Sequence, residues 1–338
     1  MIGPRLAARA LAQSIPWSAY AELTYACNWR CVFCYNPRHR DLRRMSAAEW
    51  TAVLRSLRAL GTLQLTLTGG EPLAHPEFFA IARAARGLAF ALRIFTNGAL
   101  IDDGAARDLA ALDPLAVELS LHGATAEVHD RTTATPGSFE AMWQGIARLQ
   151  EQRVRVVLKT PVTSINEDQL DAVIALCAGR GLPLRLDANM TPRDDGDLGP
   201  LRYSASPAAK RRVMTMAAEL GAIRMLHREP GGTNCGLGRM TVVVDPEGNV
   251  FPCMQWRERA LGNVRTQSLE EIWAGSGERQ AVMRVSVAAN DAMMQLGPAA
   301  DALPFCPALA LQRTGSPVTP DPEYLTNAAL ARAVLTGE

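Results

Sequence analysis

Three of the chain's seven cysteines, Cys27, Cys31 and Cys34, fall within eight residues. A loop this short can point all three thiolates at one metal centre. A structural zinc site would need a fourth ligand, and His39 is near enough in the sequence to supply it. A four-iron cluster also takes four thiolates as a rule, so three cysteines leave one iron open to a ligand from outside the protein. The cysteine spacing alone leaves both alternatives open.

The composition is that of a globular chain with one large domain or two ordinary ones. Its 338 residues are 48% apolar and 20% charged, and the net charge is +1. A nearly neutral chain gives no electrostatic support for binding nucleic acid or an anionic membrane. The sequence contains neither an apolar run of membrane-spanning length nor a signal-peptide pattern, so we expect a cytoplasmic protein. Clustered cysteines in that compartment are metal ligands more often than disulfides.

Strand and helix signals alternate through the first two thirds of the chain. Short apolar stretches predict six strands, at 21–24, 64–68, 91–96, 116–121, 154–160 and 183–188. Helical patterns predict helices at 4–14, 46–60, 76–87, 102–112, 138–152, 167–181 and 206–220. Ser46 and Glu49 form a candidate capping box. Repeated strand–helix units predict a parallel sheet in an α/β fold, and periodicity alone does not distinguish an open sheet from a barrel.

Residues suited to chemistry cluster where the predicted strands end. They are Cys27, Gly69, Asn97, His122, Thr160 and Asn189. Function collects at the carboxyl ends of parallel strands, so we expect these residues along one rim. Arg185, Asp187 and Asn189 share one face by period two, and they either face a substrate or form an ordinary loop edge. The charged loop at 191–197 is expected on the solvated surface.

The last third of the chain contains a predicted hairpin between two cysteines. Strands at 241–244 and 250–251 are joined by an Asp-Pro-Glu-Gly-Asn turn. This hairpin would bring Cys235 and Cys253 together at its open end. Cys177, by contrast, lies mid-helix among apolar residues and is expected in the core.

The Cys27-x3-Cys31-x2-Cys34 loop, with Phe33 before its last cysteine, resembles the signature of the radical S-adenosylmethionine (SAM) enzymes. The Gly69-Gly70-Glu71-Pro72 turn is similar to that family's second motif. The resemblance implies a partial (β/α)6 TIM-type barrel, a [4Fe–4S] cluster on the three cysteines, and SAM on the open iron. Cleavage of SAM in this family yields a 5′-deoxyadenosyl radical that abstracts hydrogen from a substrate. In the turn, the glycines would let backbone approach the methionyl ammonium, and the glutamate would stabilise the turn or the cation.

The same resemblance assigns further residues to the SAM pocket. Asn97, Ser120 and Lys159 correspond by position to residues that line this pocket in the family. Asp187, a candidate because of its strand face and not because of the resemblance, could bind substrate or ribose. Each of them could equally be an ordinary surface or turn residue. His122 is either a pocket residue or an exposed turn histidine.

The segment from Cys235 to Cys253, followed by Ser-Leu-Glu-Glu-Ile-Trp at 268–273, resembles the SPASM/twitch extension of this family. In that extension cysteines hold auxiliary iron–sulfur clusters. A full extension has seven cysteines, but here only these two and Cys306 remain, and 285–303 contains none. Ligand count therefore excludes a second auxiliary cluster. We expect one auxiliary cluster on three cysteines, whose fourth iron is open or bound by a non-cysteine ligand. The alternative is an extension that binds no metal.

Together the two resemblances divide the chain into five parts. They are an N-terminal segment at 1–16, the barrel at 17–205, a linker helix at 206–232, a small α+β iron–sulfur extension at 233–320 and a C-terminal helix at 321–338.

Relatives with such an extension mostly modify peptides or proteins. The segments 21–27 and 35–37 also resemble cofactor-peptide maturases such as the pyrroloquinoline quinone enzyme. The predicted function is therefore radical modification of a ribosomally made peptide. Radical modification of a small molecule or tetrapyrrole is the alternative. A non-catalytic iron–sulfur electron carrier is a further alternative, against which the Gly-Gly-Glu-Pro turn argues.

The resemblance also implies partners. A reductant such as flavodoxin or ferredoxin would supply electrons. Cys27 comes too early for a fused leader-peptide-recognition domain, so a peptide substrate would be recognised either by a separate leader-peptide-binding protein or by the barrel mouth itself. Neither nucleic acid nor a membrane is an expected partner.

Overall fold

The computed structural model describes residues 3–36 and 38–338. Met1 and Ile2 of the predicted N-terminal segment lie outside the described residues. So does Pro37, which belongs to the segment that resembles peptide maturases.

Six parallel strands form the centre of the molecule. They are β1 (Ser18–Thr24), β2 (Gln64–Gly69), β3 (Ala91–Thr96), β4 (Ala116–Ser120), β5 (Val156–Pro161) and β6 (Leu184–Asp187). They lie side by side in chain order, each hydrogen-bonded in parallel to the next. Because the order never reverses, the sheet winds in one direction as in a barrel, whereas a doubly wound sheet reverses at its first strand. The two ends of this order do not meet among the described residues, which confirms the predicted partial barrel.

Twelve α-helices are described. They are α1 (Pro4–Gln13), α2 (Ala47–Ala59), α3 (Phe78–Gly87), α4 (Asp103–Ala111), α5 (Ala126–Thr133), α6 (Ser138–Glu151), α7 (Leu170–Gly179), α8 (Pro207–Glu219), α9 (Leu269–Gly275), α10 (Gly277–Gln295), α11 (Pro307–Thr314) and α12 (Pro322–Thr336). The capping box of Ser46 and Glu49 is confirmed at the start of α2. Helices α5, α10 and α11 lie outside the predicted set. None of the described helices combines the length and apolarity that a membrane crossing requires.

The two faces of the sheet differ in polarity. Outward side chains such as Leu65, Leu67 and Ile94 are fully buried in the main apolar core, where the helices cover them. Inward side chains include Glu22, Thr66 and Glu118, which are buried as well. Buried polar groups need partners, so the interior of the partial barrel is built from hydrogen bonds and ion pairs.

The predicted hairpin extends the same sheet. Strands β7 (Thr241–Val244) and β8 (Asn249–Phe251) are antiparallel, and β9 (Gly262–Asn263) follows. Strand β7 pairs in parallel with β1, so the barrel sheet continues into the extension. Val242, Val244 and Val250 share the main core with the barrel helices. Apolar packing therefore continues across the predicted boundaries at residues 205 and 233. The division of the chain into five parts stays a prediction from the sequence.

The cysteine-free stretch at 285–303 folds as the end of α10 and a short 3₁₀ helix (Gly297–Asp301). Ala289, Met293 and Ala300 pack there against Phe305 and Tyr324 in a separate apolar cluster. Side-chain packing thus stabilises the part of the extension where the paired cysteines would have been expected.

Candidate functional site

A cavity of about 400 Å³ opens at the carboxyl ends of the barrel strands. Its lining includes all of the following predicted site residues: Cys27, Cys31, Phe33, Cys34, Gly69, Gly70, Asn97, Ser120, Lys159 and Asp187. His122 also lines the cavity and is 4% exposed, so the alternative of an exposed turn histidine is wrong. Parallel strands in consecutive order bring these segments to one rim.

The three cysteine thiols lie within electrostatic reach of one another. Burial raises the pKa of all three thiols, that of Cys34 to about 11, and neighbouring cysteine thiolates raise the pKa of Cys31 and Cys34 further. Thiolate ligands must lose their protons, so these buried thiols need a strong cation to ionise. Three converging thiols on one cavity fit a cluster that leaves one iron open.

The zinc alternative finds no support in the structure. Within residues 3–36 and 38–338, no group of three or more His, Cys, Asp or Glu side chains is arranged to hold a single metal ion. This includes the cysteine loop with His39. A cube binds each thiolate at a different iron, so its ligands stand further apart than the ligands of one ion.

The two glycines after β2 pack directly on the strand that leads to Cys27. The Gly70 N–H donates to the Thr24 carbonyl at 2.7 Å, and the Glu71 N–H donates to the Ala26 carbonyl at 2.8 Å. A Cβ atom on Gly69 would lie 2.3 Å from the Thr24 carbonyl oxygen, and one on Gly70 would lie 2.4 Å from the Ala26 carbonyl oxygen. Close backbone approach to the cysteine loop therefore requires glycine at both positions.

Glu71 contacts the turn and the end of β3. Its carboxylate accepts hydrogen bonds from the Thr96 hydroxyl at 2.7 Å, the Asn97 N–H at 2.7 Å and the Leu73 N–H at 3.1 Å. Burial raises its pKa to about 7 against these hydrogen bonds, which lower it. Glu71 and Pro72 are buried and lie outside the cavity lining. Of the two roles that the sequence leaves open for Glu71, the contacts match stabilisation of the turn.

Asn97 and Asp187 also have partners within the protein. The Asn97 side-chain amide donates to Asn28 Oδ1 at 2.6 Å and to Cys27 Sγ at 3.9 Å. Asp187 accepts from the side-chain amide of Asn189 at 3.0 Å. Asn97 therefore links the end of β3 to the cysteine loop.

Glu118 is the charged centre of the barrel interior, and sequence reasoning missed it. Its fully buried carboxylate pairs with Lys159 at 3.1 Å, with Arg185 at 3.4 Å and with Arg93. Lys159 Nζ also lies 3.4 Å from the centre of the Phe95 ring. Burial lowers the pKa of Lys159, and Glu118 opposes that shift. With three cations around one carboxylate, this side of the cavity is electropositive. The sequence pattern that could have revealed this group is the presence of charged residues at inward positions of β3 to β6.

A second buried ion-pair group ties the extension to the barrel. Arg257, 3% exposed, pairs with Glu22 of β1 at 2.6 Å and with Asp194 at 3.5 Å. The prediction of a solvated loop at 191–197 is wrong for Asp194, whose side chain is 14% exposed. Burial raises its pKa to about 7, while Arg257 opposes the shift. Arg257 thereby holds the segment after Cys253 against the barrel.

The cysteines of the extension also converge. Burial raises the pKa of Cys253 to about 12, and the nearby thiolates of Cys306 and Cys235 add to the shift. The Cys235 backbone N–H donates to the hydroxyl of buried Ser286 at 3.2 Å, and that hydroxyl is 2.8 Å from the Cys235 carbonyl oxygen. Three thiols in mutual reach fit one cluster. Cys177 is buried in the main core, as predicted.

The two cysteine sites are joined by a second cavity of about 310 Å³. Cys306 and Arg313 line it, and Asp187, Asn189 and Gln255 line both cavities. A substrate in the first cavity could therefore extend towards the cysteines of the extension.

Two family models match separate parts of the chain. The model of the radical SAM superfamily matches residues 21–177, and that of the SPASM iron–sulfur cluster-binding domain matches residues 235–296. The mycofactocin maturase MftC of Mycobacterium ulcerans is 31% identical over 277 residues, which cover 75% of this chain and 73% of that protein. The chain belongs to the radical SAM superfamily.

Three further comparisons, with one curated relative and two solved structures, define the extent of this likeness. MftC of Mycolicibacterium smegmatis is 32% identical over 255 residues, 69% of this chain, but the chain spans only 62% of that protein's length. The structure of SuiB from Streptococcus suis bound to its precursor peptide SuiA gives a TM-score of 0.68 at 15% identity, covering 82% of this chain and 71% of SuiB. The structure of anSMEcpe with bound AdoMet and a peptide gives 0.63 at 18% identity, covering 80% and 83%. At these identities the two structures show the shared fold.

Radical SAM membership implies the cofactors that the cysteine sites fit. The superfamily uses a [4Fe–4S] cluster and SAM, and the SPASM domain adds an auxiliary iron–sulfur cluster. The superfamily is one of enzymes, so the alternative of a non-catalytic electron carrier is set aside. Ligand assignment to individual residues stays a prediction.

Two buried histidines pack against aromatic side chains of the radical SAM cysteine loop. The rings of His122 and His129 are 5.3 Å apart, and His122 is 5.4 Å from Phe33. Burial lowers the pKa of His122 to about 3 and that of His129 to about 4. Both imidazoles are therefore neutral at physiological pH, and each would oppose folding once the solution becomes acidic.

We expect a His129→Gln variant to lose less stability than the wild-type protein between pH 7 and pH 5. An unfolded histidine gains a proton near pH 6.5, whereas folded His129 stays neutral to about pH 4. Its contribution is present above pH 6.5 and is lost as the pH falls, by about 2 kcal/mol at pH 5. Glutamine still offers an acceptor to the His122 backbone N–H. The melting temperature of the variant holoprotein should fall less, by roughly 4 °C. If the melting temperatures of the variant and the wild type fall equally, His129 is not held neutral in the folded protein.

Proposed function

We propose that this radical SAM enzyme modifies a ribosomally made peptide. The observation that carries the proposal is its similarity to mycofactocin maturase of M. ulcerans, which extends over both the barrel and the extension. The joined cavities agree with a peptide substrate, because a chain in the first cavity can continue into the second. A single small molecule has no need of the second cavity.

The residues of the main cavity would have distinct roles. Cys27, Cys31 and Cys34 would hold the cluster, and the Gly69–Pro72 turn would position the methionyl part of SAM beside it. When bound, these groups supply one-electron cleavage of SAM and a carbon radical that abstracts hydrogen. Phe33, Asn97, Ser120, Lys159 and Asp187 would orient SAM and substrate. The ion pairs around Glu118 would hold positive charge along one side of the cavity.

The extension would hold one auxiliary cluster on Cys235, Cys253 and Cys306. Its fourth iron would be open or bound by a non-cysteine ligand. Arg257 would keep Cys253 and Gln255 in register with the barrel, because it is buried and paired with Glu22.

The partners follow from this chemistry. A flavodoxin or ferredoxin would supply the electron for SAM cleavage, and a separate leader-peptide-binding protein would present the peptide. Six thiols that must stay reduced to bind iron fit a reducing compartment, so we also propose a cytoplasmic location.

A small-molecule or tetrapyrrole substrate is the second candidate. The first cavity, at about 400 Å³, is within the size range of small-molecule sites. Its electropositive side around Glu118 would suit an anionic compound.

The test uses the anaerobically reconstituted protein with SAM, a chemical reductant and synthetic peptides encoded by short reading frames next to its gene. We expect 5′-deoxyadenosine to form and one peptide to change mass only when SAM is present. A Cys34→Ala variant is the control. Formation of 5′-deoxyadenosine with every peptide unchanged, together with turnover of a cell-extract metabolite, would favour the small-molecule candidate. If the wild type forms no more 5′-deoxyadenosine than the Cys34→Ala control, both candidate functions are wrong.

A further inference from the structure

Positive charge is concentrated directly after the cysteine loop. Residues 38–44, the arginine segment, contain four arginines and one aspartate, whereas the whole chain has a net charge of only +1. Such a local excess creates a positive potential that a near-neutral chain otherwise lacks. An acidic surface would be drawn to this part of the molecule.

The arginine segment is held in place by the barrel and the extension. The Asp41 carboxylate accepts from the Tyr25 N–H at 2.7 Å and from the Thr24 hydroxyl at 2.5 Å. Arg265 of the extension donates to the Arg43 carbonyl at 3.1 Å and to the Arg44 carbonyl at 3.2 Å. The segment is therefore fixed at both its middle and its end, and it presents a preformed surface.

The same contacts place the segment beside the cysteines. Tyr25 is two residues before Cys27, and the Arg38 guanidinium lies 5.0 Å from the centre of the Tyr25 ring. Arg30, exposed in the cysteine loop, donates to the Cys27 carbonyl at 2.5 Å and contributes to lowering the pKa of His39. Arg30 is therefore close to the arginine segment and adds a further cation beside it.

Two of these arginines are free to meet a partner. Arg38 pairs with Glu247 and Arg44 with Asp41, whereas Arg40 and Arg43 are exposed and make no salt bridge with any residue in 3–36 or 38–338. Leu42 between them is 62% exposed. The neighbouring loop adds two exposed carboxylates, Asp195 and Asp197, but Asp197 pairs with Arg193, so the balance stays positive. An apolar side chain flanked by unpaired cations suits a transient interface with an acidic protein.

We propose that the arginine segment, with Arg30, is the docking surface for an acidic one-electron carrier protein of the flavodoxin or ferredoxin class. This inference rests on the proposed function, because SAM cleavage consumes one electron. The carrier is oxidised by one electron and the cluster on the cysteine loop is reduced by one. Docking here brings the carrier next to that loop, and unpaired arginines would steer an acidic surface to it.

The test measures reduction of the reconstituted holoprotein, without substrate, by stopped-flow bleaching of cluster absorbance. The probe is an acidic flavodoxin in its hydroquinone form, with dithionite in parallel. We expect an Arg40→Glu/Arg43→Glu variant to be reduced by flavodoxin about tenfold more slowly at low salt, with dithionite reduction unchanged. The wild-type rate with flavodoxin should fall as salt rises, towards the rate of the variant.

The matched control is Arg153→Glu/Arg155→Glu, which makes the same change in charge at the opposite, amino end of β5, where both residues are exposed. It should keep the wild-type rate. An Arg40→Gln/Arg43→Gln variant, which adds no new charge, should fall between the two.

The proposal is overturned if flavodoxin reduces the reversed and wild-type proteins equally fast, or if salt has no effect on the wild type. It is also overturned if both double reversals slow reduction equally, since net charge would then be the cause. Because the assay contains no peptide, its result is independent of whether the proposed substrate is correct.

Discussion

A Cys31→Ala variant is expected to lose SAM cleavage and still contain about four irons per chain. Cys31 is one of three thiols that converge on the main cavity, and removing it leaves two ligands for that cluster. Loss of a direct ligand should exceed the 10–100-fold typical of outer-shell partners, so we expect less than about one thousandth of the wild-type rate of 5′-deoxyadenosine formation. The residual iron would belong to Cys235, Cys253 and Cys306.

The control for this variant is Cys177→Ala. Cys177 is buried in the main core, and no role at either cysteine site is assigned to it. It should retain the full iron content and the full cleavage rate. Residual iron near zero in the Cys31 variant would refute the auxiliary cluster, and retained SAM cleavage would refute the assignment of the cysteine loop.

A Gly70→Ala variant is expected to have a large effect, though a smaller one than Cys31→Ala, without removing any ligand. Its new Cβ atom would lie 2.4 Å from the Ala26 carbonyl oxygen and 2.7 Å from the Tyr25 carbonyl oxygen, where real Cβ contacts stay above 3.0 Å. Both obstacles are backbone, so the strand that leads to Cys27 must move. A displacement of this size can cost about 10²-fold in rate. The measurements are iron content and 5′-deoxyadenosine formation.

Gly87→Ala is the matched control, because a Cβ atom there meets no atom within 4 Å. Gly87 is the last residue of α3, and alanine at this helical position should be neutral or slightly stabilising. If Gly70→Ala behaves like Gly87→Ala, the close packing of the turn on the cysteine loop does not control the geometry of the site.

Local sequence patterns predicted the parts of the fold that depend on neighbours in the chain. The six parallel strands, the capping box at Ser46 and the hairpin after Cys235 are all present. Each depends on alternation of apolar residues, on a cap or on turn chemistry within a few residues. Helices α5, α10 and α11 were not predicted, and α5 is short and polar on average.

The charged interior could not be predicted in the same way. Glu118 has three cationic partners on three other strands, and Arg257 meets Glu22 from 235 residues away in the sequence. A charge at an inward strand position is compatible with an edge strand or a solvated face until the sheet curves around it. Asp194 illustrates the same limit, because its loop is charged while its own side chain is buried.

The sequence by itself determined the chemistry that this protein can host. Cysteine spacing, the Gly-Gly-Glu-Pro turn and the three cysteines of the extension are short-range patterns, and ligand number follows from counting them. Only the tertiary structure decided what surrounds those ligands. It showed that the glycines are needed for packing on the Cys27 strand and that the cavity at the cysteine loop shares lining residues with a second cavity at Cys306. Contacts of this kind join residues far apart in the chain, and they exist only once the sheet has curved.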